Sequence, residues 1–176
     1  LAIFGKALGN GYAITSVIGK GEVMTAAQTS FISSTFWTER IGPTAALKTL
    51  QIMKKSKSWQ YVSELGEIIR EVWRNLANEN QIKINIGGLQ PIPQFSIESN
   101  NFLKYKTFLT QEMLKKGYLA SNLVFVSAAH NENIIEEYKQ NLQNIFKVIG
   151  ECENENRNID NLLDNEVCHG TFKRLT

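Results

Sequence analysis

Near its first residue the chain reads Phe4-Gly5-Lys6-Ala7-Leu8-Gly9-Asn10-Gly11, which places a lysine inside a glycine-rich turn. Lysine is the side chain that condenses with an aldehyde, and burial or a neighbouring cation activates it for this chemistry at neutral pH. The glycines permit positive φ and a close approach of the backbone to a bulky ligand. The turn therefore predicts a covalent cofactor site at Lys6. The alternative is a loop lysine that faces water between turn glycines.

A nucleotide-binding loop is a poorer match to the same turn. A P-loop has a spaced glycine before its Gly-Lys pair and a Ser or Thr directly after it. Here Ala7 stands where that hydroxyl is needed. We therefore expect no nucleotide site at Lys6.

Composition and charge narrow the class of protein. The 176 residues are 43% hydrophobic and 20% charged, with a formal net charge of +2, which gives no nucleic-acid signature. No apolar stretch is long enough to cross a bilayer. Cys152 and Cys168 are too few for a disulfide framework and favour a reducing compartment, and with two histidines a structural zinc site is not expected. These features predict a cytoplasmic protein whose partners are neither nucleic acid nor membrane.

Residues 1 to 79 read as one part of an α/β domain. The opening run Leu1-Ala2-Ile3-Phe4 predicts a strand cut at its start, so we expect further chain before it. A short strand at 15–19, a short helix at 21–27 and a hydroxyl- and aromatic-rich loop at 31–43 follow. Pro43 predicts a helix start. A second helix is predicted from about Trp59, with a solvated polar face. That face carries Glu64, Glu67, Arg70 and Arg74.

Residues 80 to 150 change to a pattern that predicts a small α+β domain. Alternation at Ile82, Ile84 and Ile86 predicts a strand that Gly87-Gly88 breaks. A loop flanked by Pro91 and Pro93, a strand at 94–98, a helix at 102–116 ended by Gly117 and a strand at 123–126 follow. Asn133 with Glu136 has the spacing of a capping box for a last helix. Residues 151 to 176 are predicted to be a linker and tail, exposed at 151–164.

Three motifs in a fixed order carry a resemblance to a known family. They are Lys6 in its turn, Thr38-Glu39-Arg40-Ile41-Gly42-Pro43, and Gly117-Tyr118-Leu119-Ala120-Ser121 followed by Phe125-Val126-Ser127-Ala128-Ala129-His130. The chain resembles class III aminotransferases of the pyridoxal-phosphate fold type I superfamily, most closely the glutamate-1-semialdehyde 2,1-aminomutases. The resemblance covers about residues 1 to 150 and corresponds to the C-terminal half of such an enzyme. It implies the C-terminal part of the fold type I large domain, at 1–79, followed by the α+β small domain at 80–150.

The resemblance also implies a cofactor, pyridoxal 5′-phosphate, and roles for two residues. Lys6 would form the Schiff base with the cofactor and then move the proton between cofactor and substrate. Thr38, 32 residues further on, would bind the cofactor phosphate from the partner subunit of a homodimer with shared active sites. Ser34 and Thr35 are weaker candidates for the same phosphate oxygens, with simple turn residues as the alternative.

Substrate residues are less well defined by the resemblance. Trp37, with Phe36 beside it, would wall a pocket for a small amino donor or acceptor, and the alternative is a core aromatic. Arg40 would grip a substrate carboxylate, or it pairs with Glu39 or with the neighbouring subunit. His130 is predicted to make a structural hydrogen bond rather than to act in chemistry.

The predicted function is amino-group movement by an aminotransferase or aminomutase through Lys6. The bulky, charged Glu39-Arg40-Ile41 departs from the small-residue turn of the aminomutases, and this puts the aminomutase substrate in doubt. The alternative is a noncatalytic truncated homologue that keeps only packing and dimerisation. Because the family's other cofactor contacts would lie before Leu1, we expect this chain to be inactive by itself.

Overall fold

The computed structural model describes residues 1–170, and these residues form two compact units. The first is Leu1–Ser58 and the second begins at Trp59. The domain limits inferred from the sequence stay a prediction for the whole protein. Within residues 1–170, no helix combines the length and the apolar character needed to cross a membrane.

The first unit begins with a small antiparallel sheet. Strand β1, Ala2–Phe4, pairs with β2, Ser16–Ile18, so that Ile3 lies opposite Val17. The connection between them holds a 3-10 turn at Lys6–Leu8. The predicted short helix is α1, Gly21–Met24, continued by a 3-10 turn at Thr25–Thr29. The paired strands thus fix both ends of the lysine turn.

Helix α2, Ile41–Ser56, starts two residues before the predicted start at Pro43. Pro43 therefore lies within the first turn, where a backbone N–H would have no partner inside the helix, so its missing donor costs nothing. The backbone N–H of Thr44 donates to the carbonyl of Arg40 at 3.0 Å. Only Gly42 and Ala46 of this helix are buried within the described residues.

The second unit holds the large apolar core. Helix α3, Ser58–Glu79, buries the face that the sequence pattern predicts, and helices α4, Phe102–Lys115, and α5, Glu132–Glu153, complete the helical layer. Trp73 is fully buried, lies 4.8 Å from Phe95 between ring centroids, and donates from Nε1 to the Tyr138 hydroxyl at 3.0 Å. This buried hydrogen bond joins α3 to α5.

The predicted break at Gly87-Gly88 is wrong, because the strand continues through both glycines. Strands β3, Ile84–Leu89, and β4, Ile92–Ile97, form a hairpin in which Leu89 pairs with Ile92. The predicted proline loop is therefore reduced to two residues. Gly88 has φ of +79°, and a Cβ there would lie 2.3 Å from the Ile92 carbonyl oxygen, which explains the glycine.

Helix α3 supports this hairpin at two positions. A Cβ on Gly66 would lie 1.8 Å from the carbonyl oxygen of Gln90, so the helix backbone passes directly under the hairpin turn. Arg70 was expected on a solvated face, but its guanidinium donates to the Gly88 carbonyl at 2.9 Å. Its side chain is only 16% exposed. The helix therefore positions the hairpin through close backbone contact and one cation.

The predicted strand at 123–126 forms a single β-bridge, Gln94 with Leu123. The segment still runs along β4, because Val124 N–H donates to the Pro93 carbonyl at 3.1 Å and Val126 N–H to the Pro91 carbonyl at 3.0 Å. Pro93 and Pro91 supply carbonyls here and need no N–H, which explains how prolines fit this hairpin.

The ends of α4 and α5 test two capping predictions. Gly117 ends α4 as predicted: it has φ of +85°, and Tyr118 N–H donates to the Met113 carbonyl at 2.9 Å. The N-cap of α5 is Asn131, not Asn133, because the Asn131 side chain accepts from Ile134 N–H at 3.0 Å.

Residues 151 to 164 are exposed over 154–158, as predicted, but part of the stretch is ordered and one of its side chains is buried. Helix α5 runs to Glu153, and a 3-10 turn at Ile159–Leu162 follows. Ile159 is 3% exposed and belongs to the core. The apolar side chains of this otherwise polar stretch therefore contribute to the core of the second unit. The last six residues of the predicted tail, 171–176, lie outside the described residues.

Candidate functional site

The lysine turn has an unusual backbone. Glycines 5, 9 and 11 were expected to supply positive φ, but only Gly11 does so, at +104°, while Gly5 and Gly9 have negative φ. Lys6 and Asn10 take the other left-handed positions, with φ of +48° and +46°. For a lysine this conformation costs about 1 kcal/mol, and such strain concentrates at functional sites.

Gly9 is required by close approach rather than by φ. A Cβ at Gly9 would lie 2.1 Å from the Tyr12 carbonyl oxygen. At the start of α2, a Cβ on Gly42 would lie 2.8 Å from the Ala13 carbonyl oxygen. The backbone of the turn is therefore in close contact with neighbouring backbone, and this contact determines the position from which the Lys6 side chain projects.

Lys6 lines a cleft of about 760 Å³ within the first unit. Its wall combines hydroxyl groups, aromatic rings and one carboxylate. The residues that supply them include Lys6, Tyr12, Thr15, Ser33, Ser34, Phe36, Trp37 and Glu39. A primary amine and several hydroxyl groups on one cleft form a donor set suited to a ligand that carries both an aldehyde and an anionic group.

The predicted site residues divide into two sets. Trp37 and Ser34 line the lysine cleft, whereas Thr35, Thr38 and Arg40 lie outside the lining of this cleft. All of them are exposed in this chain. The structure thus brings Lys6 and Trp37 to one cleft and leaves Thr38 and Arg40 available to another surface.

Arg40 does not pair with its sequence neighbour. Among residues 1–170, no ion pair within 4.0 Å joins Arg40 to Glu39, so that alternative for Arg40 is not realised. Glu39 itself lines the cleft with Lys6, a position that sequence reasoning did not assign. Residues 34–39 form a turn in which Trp37 N–H donates to the Ser34 carbonyl and Glu39 N–H to the Phe36 carbonyl. The sequence did not predict this turn, and so it did not predict the position of Glu39.

His130 makes hydrogen bonds of a structural kind. Its carbonyl accepts from the Tyr61 hydroxyl at 2.8 Å, and its Nδ1 accepts from Ser127 N–H at 3.3 Å. The predicted structural hydrogen bonding is therefore present. These bonds close the segment before α5.

The strongest electrostatic perturbations belong to the core of the second unit. Burial first, and then the hydrogen bond to Glu153, raises the pKa of the Tyr105 hydroxyl, whose oxygen lies 2.5 Å from Glu153 Oε1. Ser99 donates to the same oxygen at 2.7 Å. Burial also raises the pKa of Tyr138. Both tyrosines stay neutral and hold helices together.

Comparison with known families assigns the chain to a class of enzymes. The model of the family described as aminotransferase class-III matches residues 1–148. The chain belongs to the class-III aminotransferases. The recognition made from the lysine turn and the Thr38 loop is confirmed.

The chain is also similar to individual members of this family. It is 31% identical over 112 residues to 3-aminobutyryl-CoA aminotransferase of Cloacimonas acidaminovorans (strain Evry), covering 63% of this chain and 27% of that protein. It is 26% identical over 166 residues to glutamate-1-semialdehyde 2,1-aminomutase of Sulfurihydrogenibium azorense, covering 85% of this chain and 39% of that protein. The chain thus spans well under half the length of these curated relatives.

A solved structure shows the same fold. The FumI protein of Sphingopyxis sp. MTA144, in a structure described as its PLP internal aldimine form, superposes with a TM-score of 0.75 at 21% identity. The match covers 84% of this chain and 36% of that one. The predicted fold class, part of a fold type I large domain followed by an α+β small domain, is confirmed.

Proposed function

We propose that this chain is part of a pyridoxal-phosphate enzyme that moves amino groups, as an aminotransferase or an aminomutase. The observation that carries the proposal is the position of Lys6, held by a strained turn on the wall of a large cleft in a chain of this family. The two curated relatives named above are an aminotransferase and an aminomutase, which supports amino-group movement but leaves the substrate open.

The residues of the cleft fit this cofactor. Pyridoxal phosphate, when bound, supplies the electron sink that labilises bonds at an amine-bearing carbon. The Lys6 amine is the nucleophile that its aldehyde requires. Hydroxyl groups at Thr15, Ser33 and Ser34 offer donors to anionic oxygens, and the Trp37 ring offers an apolar wall.

Lys6 has two tasks in this proposal. With pyridoxal phosphate bound, Lys6 Nζ would hold it through its aldehyde. When free, the same amine would accept a proton from the substrate carbon and return it at a neighbouring atom. The close packing of Gly9 against the Tyr12 carbonyl restricts movement of the backbone that carries this lysine.

Thr38 is proposed to bind the cofactor phosphate of the partner subunit in a homodimer. Two observations support this assignment: Thr38 is exposed, and it lies outside the lining of the cleft that holds Lys6 of its own chain. Arg40 shares both properties and is proposed to contact substrate or the neighbouring subunit. Trp37 remains the proposed wall of the substrate pocket.

A cytoplasmic location is part of the same proposal. Both cysteines are free thiols, and both are only half-buried. A reducing compartment keeps such thiols unpaired.

Borohydride reduction tests the role of Lys6. In the full-length protein, reduction should fix a pyridoxyl group on the peptide that contains Lys6, and Lys6→Ala should lose the visible absorbance of the bound cofactor. Lys20→Ala is a matched control, because Lys20 is an exposed lysine of the same unit outside the cleft lining, and it should retain the absorbance. Labelling at another lysine would overturn the assignment.

Subunit complementation tests Thr38. A mixed dimer of Lys6→Ala and Thr38→Ala subunits contains one site with both native residues if the two residues of a site come from different chains. Activity should then reappear on mixing. If Thr38 serves its own subunit, the mixture stays as inactive as its components, and the shared-site proposal fails.

A further inference from the structure

We infer that residues 158 to 170 form a two-part strap over α4, and that its second part, residues 164 to 170, opens locally and controls access to the Cys168 thiol. The family match ends at residue 148, so family membership does not account for this segment. The inference is independent of the amino-transfer chemistry proposed above.

The first part of the strap is anchored by apolar burial. Ile159 is 3% exposed in the core, and Leu162 and Leu163 pack against that core. Lys104 Nζ lies 2.7 Å from Asp160 Oδ1 and adds an ion pair at the N-terminal end of α4. Opening this part would expose apolar surface to water, so it stays closed while the unit is folded.

The second part is held by a row of polar contacts instead. Lys115 Nζ lies 2.8 Å from Asp164 Oδ2, and Asp164 N–H donates to Gln111 Oε1 at 2.7 Å. Cys168 N–H donates to Thr107 Oγ1 at 2.9 Å. The α4 partners at 107, 111 and 115 are spaced by four residues and therefore form one stripe along the helix.

The first part is held by apolar burial and the second by polar contacts, and this difference predicts that the strap opens in its second part. The Lys115 and Asp164 side chains are 52% and 56% exposed, and an ion pair so exposed to water changes an equilibrium by only about 1.4- to 5-fold. Val167, the apolar side chain of the second part, is 37% exposed and adds little burial. Segments with few buried apolar contacts and exposed hydrogen bonds open at low free energy.

Cys168 reports this opening directly. In the closed strap its backbone is fixed to Thr107, and its Sγ lies 3.6 Å from the Leu103 carbonyl oxygen, half-buried against α4. When residues 164 to 170 leave the helix, the thiol becomes accessible to an alkylating reagent. Cys152, on the last turns of α5, is an internal reference that strap opening leaves unchanged.

The test is peptide-resolved alkylation of the full-length protein with iodoacetamide, which measures Cys168 and Cys152 separately. Asp164→Asn should accelerate Cys168 labelling by about 1.4- to 5-fold. Thr107→Val, which removes the acceptor of the Cys168 N–H, should accelerate it by about 2- to 10-fold. High salt should accelerate the wild type more than Asp164→Asn, because it screens the ion pair that the variant lacks.

Glu166→Gln is the matched control, since Glu166 is an exposed acid of the same segment with no ion pair among the described residues. It should label like the wild type, and Cys152 should label equally in all variants. The inference is overturned if wild-type Cys168 reacts as fast as in urea, if Asp164→Asn and Thr107→Val match the control, or if Cys152 accelerates in parallel with Cys168.

Discussion

Removing the Tyr138 hydroxyl is expected to weaken the second unit by leaving a buried donor without its acceptor. The hydroxyl accepts from Trp73 Nε1 at 3.0 Å, Trp73 is fully buried, and Tyr138 is 7% exposed. Tyr138→Phe leaves the indole N–H without its partner in a place that water does not reach. A buried donor that loses its acceptor costs about 1 to 3 kcal/mol, so we expect a loss of about 2 kcal/mol in the free energy of unfolding.

Urea unfolding of the full-length protein measures this loss. The midpoint should fall while the slope stays constant, because the substitution changes stability and not the surface exposed on unfolding. Tyr118→Phe is the matched control, since the Tyr118 hydroxyl makes only a 3.4 Å contact to Glu137 at the surface. Its loss should stay within about 0.5 kcal/mol.

A double-mutant cycle separates the hydrogen bond from packing. In a Trp73→Phe background the unpaired N–H no longer exists, so Tyr138→Phe should cost about 1 kcal/mol less than in the wild type. Equal costs in both backgrounds, or a Tyr138→Phe cost no larger than that of Tyr118→Phe, would show that the hydrogen bond does not join the helices.

Three further outcomes are expected. Folding raises the pKa of Tyr105 and Tyr138, so the unfolded chain loses these protons first as the pH rises above about 10. The free energy of unfolding should therefore fall by about 1.4 kcal/mol per pH unit for each of the two tyrosines. Tyr138→Phe should halve this slope, because only Tyr105 then contributes to it. Gly66→Ala should destabilise the protein by at least about 1 kcal/mol in urea unfolding, since overpacking against the Gln90 carbonyl exceeds the gain in helix propensity, and a neutral result would contradict the contact. Lys6→Gly should be about 1 kcal/mol more stable than Lys6→Ala because glycine tolerates φ of +48°, and equal midpoints would show that the turn relaxes.

Much of the second unit was predictable because its pattern and its packing agree. The apolar spacing of α3 predicts the face that the structure buries, and Gly117 ends α4 as its sequence position indicates. The errors arose where a local signal has two meanings. Gly87-Gly88 indicates a break by propensity, but in this hairpin it accommodates the Ile92 carbonyl, a contact that only the folded partner strand supplies.

The candidate site was predictable in chemistry but not in arrangement. The sequence indicated the amine and the hydroxyl-rich loop, and the structure places Lys6, Ser34 and Trp37 on one cleft. It could not indicate that Lys6 rather than Gly5 takes the left-handed conformation, because that choice depends on how the whole turn packs in the folded chain. Nor could it show that Glu39 lines the cleft while Arg40 does not, since this follows from the turn between Ser34 and Glu39.

The burial of Ile159 shows that the folded core extends beyond the residues that the family model matches. The family match stops at residue 148, yet the core still requires a side chain eleven positions later. A cut placed at the family boundary would remove the core residues Ile149 and Ile159 together with Leu162 and Leu163, which pack against that core, and losing even one buried Ile or Leu side chain costs about 2 to 5 kcal/mol. A domain boundary set by the family match alone would therefore leave out residues that the folded core needs.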